Sequence, residues 1–276
     1  MKPSRHGRIL AASAMMVLAT GVHAEAPINP KPPKVFNIIA PTFVLSDEPG
    51  WSPDQTPADF LEGIGAQLKA RWRQLYRESP PPPSTVRPVS AFTLGGLMAD
   101  SFLALEATDS QQFRNNNQDV LNYCRVLGLN EKLTPRLMAQ GRLAEQDKWS
   151  DLRQEVVDGH QEMCRVLHEQ RDEDLAVLVD LGIWMRMLEM VSGIVQEANQ
   201  PSTWPLTVGS PELVVDLKAR FNKLSDTTRK HERVSLIGDA LDFLCRHWTS
   251  PNPPDAERVT NSHKKIEVVM RKLTMK

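Results

Sequence analysis

His160, Cys164 and His168 follow one another at four-residue spacing. On an α-helix each such step turns about 40°, so the three side chains fall in one sector. Imidazole and thiolate are ligands for zinc or copper. All three donors along one helix would spread over about 12 Å of rise, too far for one ion. His160 and Cys164 with a third donor from another helix make a feasible metal centre. Both also border an apolar stripe, where a hydrogen-bonded imidazole and a buried thiol need no function.

A second group places charge inside apolar sequence. Asp100 lies among Leu97, Met98 and Phe102, and Asp180 among Val179, Leu181 and Ile183. Arg186 and Glu189 stand three apart, close to Trp184. Buried charge is costly unless paired. Two chemistries follow. Arg186 can pair with Glu189, or with Asp180 or Asp100 across a helix interface, and hold helices in register. Alternatively Asp100, Asp180, Trp184, Arg186 and Glu189 line a polar pocket for a small ligand.

The third group interleaves cations and rings: Lys69, Arg71, Trp72, Arg73, Tyr76 and Arg77. Lys69, Arg71, Arg73 and Arg77 could meet an anionic surface such as lipid headgroups or envelope polymers. The plainer reading is a solvated helix face with Trp72 packed inward. The sequence has no G-x-S-x-G elbow, no G-x-x-x-x-G-K-S/T phosphate loop and no C-x-x-C-H haem site. No cofactor is expected.

These residues must be positioned by helices. Thr56-Pro57 opens one, with Phe60, Leu61, Ile64, Leu68, Trp72 and Leu75 on its apolar face. Pro80 to Pro83 end it and form a stiff spacer. A second helix is expected over about Ser90 to Phe113, where Ala91, Gly95 and Ala99 form a small-residue stripe that lets another helix approach. A short helix over about Gln118 to Leu127 ends at Gly128. Thr134-Pro135 begins another. Long helices follow from about Asp147 and from Asp172 to Asn199, the latter so apolar that it belongs at the centre. Pro201 to Pro205 interrupt, with Trp204 pinning the loop. Helices from Ser210, from about Thr227 to Trp248 and from about Asp255 to Leu273 close the chain. The expected fold is all-α, an irregular bundle of mostly antiparallel helices.

The N-terminus directs localisation. Lys2, Arg5 and Arg8 precede an apolar run from Ile9 to Val22, and Val22-His23-Ala24 is a small-x-small cleavage site. The run is shorter than the roughly 20 residues that span a bilayer. Residues 1–24 are therefore read as a secretory signal peptide. Residues 25–87 hold a Pro-rich tether, an extended segment (Val35 to Leu45) and one amphipathic helix, and 88–276 are the main helical domain. The apolar stretch over Leu175 to Val195 contains Asp180, Arg186 and Glu189, so no membrane span is expected after cleavage.

Loss of the signal takes the formal charge from −1 to −4, with no general pull toward nucleic acid. Cys124, Cys164 and Cys245 allow one disulfide or none, and buried free thiols suit their apolar surroundings. Together these features point to an exported periplasmic or secreted protein. It is read as a non-catalytic binding or scaffold module with an envelope protein partner. A small-ligand binder or enzyme working between the central helices is the alternative, and metal handling a second.

Overall fold

Thr56 and Asp59 show how the sequence starts a helix. The Thr56 hydroxyl accepts the Asp59 amide at 3.2 Å, and the Asp59 carboxylate accepts the Thr56 amide at 2.9 Å. That reciprocal cap opens α1 (Pro57–Leu68). The structure, a computed structural model, describes residues 56–198, 211–248 and 255–274. The signal peptide, the extended arm and the Trp204 loop lie outside the described residues.

The helix does not continue to Leu75 as the periodicity suggests. Lys69 turns left-handed at φ 47°, and the chain resumes as a short 3-10 turn, Trp72–Leu75. The reason is Gly65: a Cβ there would lie 2.8 Å from Trp72 Cζ2. The bare helix surface seats the indole, so the chain folds back over α1.

α2 (Arg87–Glu106) and α3 (Ser110–Leu127) replace the single helix expected to reach Phe113. Thr108 at φ 46° breaks the run, and Asp109 caps α3 by accepting the Gln112 amide at 3.0 Å. Gly128, at φ 78°, ends α3 as expected. α4 (Asn130–Glu145) starts a turn earlier than Thr134-Pro135 implies, so Pro135 lies inside it. The Leu133 amide already donates to Leu129 O at 3.0 Å, so the helix is nucleated ahead of the proline.

α5 (Trp149–Glu169) and α6 (Glu173–Ala198) match their patterns. α7 (Pro211–Asn222) follows. The expected 227–248 helix is two: α8 (Asp226–Arg229), capped by Ser225, and α9 (Glu232–Trp248). α10 (Ala256–Thr274) is the last described element. Among the described residues the fold is all-α, with ten α-helices and no strand.

α6 is the central helix, and nearly every residue from Leu175 to Val195 is buried. Its main neighbour is α2, with α10, α5, α1 and α7 around it. Ala91, Gly95 and Ala99 are all buried on α2. A Cβ on Gly95 would sit 1.9 Å from Val179 O, and one on Gly182 would sit 2.1 Å from Phe92 O. The two backbones therefore touch directly. α2 also corrects an expectation: it is long and apolar enough to cross a membrane, which no segment was expected to be. Here 94% of its apolar window is covered by the other helices. Ala58, Phe60, Leu61 and Ile64 of α1 join the same core.

Candidate functional site

The charges within the buried stretch of α6, Asp180, Arg186 and Glu189, divide into two clusters. In the first, Arg186 projects from α6 toward α2 and the 3-10 turn. Its Nε donates to Asp100 Oδ1 at 2.7 Å, its Nη1 to Glu189 Oε2 at 2.6 Å and its Nη2 to Leu75 O at 2.6 Å. Arg77 takes the other side of Asp100, with Nε at 2.7 Å from Oδ2, and its Nη1 donates to the Thr274 hydroxyl of α10 at 3.0 Å. Two guanidinium groups and two carboxylates thus neutralise one another. Of the partners weighed for Arg186, Glu189 and Asp100 are the ones it meets.

Burial disfavours the Arg186 charge, but Asp100 and Glu189 outweigh it and raise the pKa above the ordinary arginine value. Burial wins at Arg77, whose pKa is lowered, with Asp100 opposing. Trp184 is fully buried, and its indole Nε1 has no hydrogen-bond partner.

Arg77 therefore leaves the basic group in which the sequence placed it. Its side chain is 9% exposed and committed to Asp100, so it is not on a surface that could meet an anionic partner. Lys69 is exposed at the end of α1. Arg71 and Arg73 are exposed and face Glu197 at 3.2 Å and Asp109 at 3.4 Å. Exposed pairs of this kind are each worth at most about 1 kcal/mol.

The second cluster joins α5 to α6. His160 and Cys164, one turn apart, both face Asp180 of α6, while His168 is exposed. His160 Nε2 lies 2.9 Å from Asp180 Oδ1 and 3.4 Å from Cys164 Sγ. The three residues are 0%, 2% and 1% exposed. The sequence suggested His160 and Cys164 as a pair; it did not join Asp180 to them. The signal for that was an acid in an otherwise apolar helix, which could equally have served Arg186.

Burial pushes the Asp180 pKa up, opposed first by His160 and then by the charge of Arg220. Burial, then Asp180, pushes the Cys164 thiol well above its ordinary value. Such a thiol stays protonated and is a poor nucleophile. The geometry agrees: acid and thiol meet the same imidazole nitrogen, whereas a relay needs them on opposite nitrogens.

Beside this cluster, Glu173, Asp174, Val177, Asp216, Arg220 and Lys223 line a cleft of about 100 Å³ between α6 and α7. Between α2, α3, α4 and α5 a smaller cavity of about 20 Å³ is lined by Met98, Val120, Leu137, Gln140, Val156 and Met163, among others. That is room for a water molecule. Cys124 and Cys164 are buried free thiols, and Cys245 is half-buried.

No known family, characterised protein or solved structure matches this chain.

Proposed function

We propose that this chain is an exported, non-catalytic binding module of the bacterial envelope: a rigid helical body that presents its outer surface to a protein partner. The observation that carries this reading is the closed network of Arg77, Asp100, Arg186 and Glu189. Asp100, Arg186 and Glu189 were among the candidates for a ligand pocket or a reaction between the central helices. Their hydrogen bonds instead join the 3-10 turn, α2, α6 and α10. A network of this kind serves register and rigidity. The signal-like N-terminus, with Lys2, Arg5 and Arg8 before Ile9 to Val22, supports export, and the Pro-rich residues after it suit a tether.

The test uses the chain from Glu25 and the chain from Thr56 as baits in envelope extract. Deletion up to residue 55 keeps α1 and Arg77, which the core needs. The reading expects one protein recovered in stoichiometric amount by the longer bait. Recovery of none by either bait contradicts it.

A further inference from the structure

We propose that His160, Cys164 and Asp180 form a binding site for a divalent transition metal ion of the zinc class. The inference is independent of the partner-binding reading. Their donor atoms all lie within 4.8 Å of one another. Zinc bonds of about 2.0–2.1 Å to nitrogen and oxygen and 2.3 Å to sulfur place tetrahedral donors roughly 3.3–3.7 Å apart. The His160–Cys164 separation of 3.4 Å already meets that spacing. The 2.9 Å between His160 and Asp180 must open by only about 0.4 Å to reach it.

A second observation points to a ligand. Asp180 Oδ2 is fully buried and has no hydrogen-bond partner. A buried carboxylate oxygen left unsatisfied is costly, and a cation is the partner that would satisfy it.

Charge decides the class of ion. On binding, the Cys164 thiol releases its proton to solvent, giving one thiolate beside one carboxylate. Together they neutralise a divalent cation, and neutral imidazole adds a third donor. The assembled centre carries no net charge, as a site this deeply buried requires. The mixed nitrogen, sulfur and oxygen set suits a borderline ion such as zinc better than magnesium or calcium, which want oxygen alone. Three protein donors leave a fourth position for a neutral water molecule, which keeps the centre uncharged.

The cleft between α6 and α7 offers the approach. Val177 in its wall is one turn from Asp180 on α6, and the three acids Glu173, Asp174 and Asp216 stand there against two cations, Arg220 and Lys223. Arg220 also lines it and acts electrostatically on Asp180.

Cobalt(II) is the probe, added to the full mature chain. One equivalent should bind and produce a thiolate-to-cobalt charge-transfer band with the visible bands of a tetrahedral centre. Zinc should displace it and raise the melting temperature. Cys164→Ser should lose the charge-transfer band while keeping its helical circular dichroism, and Asp180→Asn should weaken binding at least tenfold. X-ray absorption of the zinc-loaded wild-type chain needs no variant, and should find one sulfur among nitrogen and oxygen neighbours. A shell without sulfur, less than one equivalent bound, or a charge-transfer band that persists in Cys164→Ser overturns the proposal.

Discussion

Asp100 receives both arginines, one on each carboxylate oxygen, and this sharing sets what single substitutions do. Arg186→Met leaves Glu189 without its ion-pair partner and strips one side of Asp100. Breaking a buried pair from one side costs about 3–5 kcal/mol. Arg186→Met should lower the urea midpoint accordingly, with an unchanged slope against denaturant. Arg71→Ala, at an exposed pair, should shift it by no more than about 1 kcal/mol.

Cys124 makes a second prediction at this scale. Burial pushes its pKa from the ordinary 9.0 up to about 12. Above pH 9 the unfolded chain loses the thiol proton while the folded chain keeps it. The stability this group contributes is complete below pH 9 and is lost between about pH 9 and 12. The loss is about 1.4 kcal/mol per pH unit. Stability measured against pH in that window should fall less steeply in Cys124→Ser by that amount. An identical slope would mean that the thiol ionises within the fold.

At the scale of elements, the crossing of α2 and α6 is the feature most sensitive to volume. Gly95→Ala pushes a methyl group against Val179 O, and neither backbone can yield locally. It should cost about 1–3 kcal/mol. Gly141→Ala on α4 is the contrasting case, because its Cβ would meet only Asn117 Nδ2 at 3.6 Å. There the helix preference for alanine should add about 0.5–1 kcal/mol. Equilibrium unfolding of the two variants reads both signs in one experiment.

The elements also show why legibility was uneven. The α2 crossing was readable because Ala91, Gly95 and Ala99 fall on one helical stripe. Central α6 was readable because its apolar residues run round the helix. The breaks at Lys69 and Thr108 were not, because each uses a non-glycine residue at positive φ that carries no distinctive local signal. Tertiary packing imposes them: Trp72 must reach Gly65, and Asp109 must turn to cap α3. Pro135 misled because it lies past the first turn of α4, where proline gives up a helix hydrogen bond, and burial of Leu133, Leu137 and Ala144 carries the helix through it.

For the molecule as a whole, the polar clusters mark where helices are joined. Arg186 and Arg77 link the 3-10 turn and α2 to α6 and α10, which lie much later in the sequence. His160 and Asp180 link α5 to α6. The participants of the first cluster were legible as charges in apolar helices; Arg77 was not, because its neighbours Lys69, Arg71 and Arg73 are surface residues. Of the second cluster the pair on α5 was legible from its spacing, while the choice of Asp180 depended on how two helices cross.

Under the proposal, the charge network builds the scaffold and the outer surface meets a partner, so the decisive measurement sets stability against binding in one variant. Arg186→Met is compared with wild type in recovery of the envelope partner, at a temperature where circular dichroism shows both fully folded. The account predicts a lower urea midpoint and undiminished partner recovery. A folded Arg186→Met chain that has lost the partner would contradict it, and would make the buried network itself the binding site.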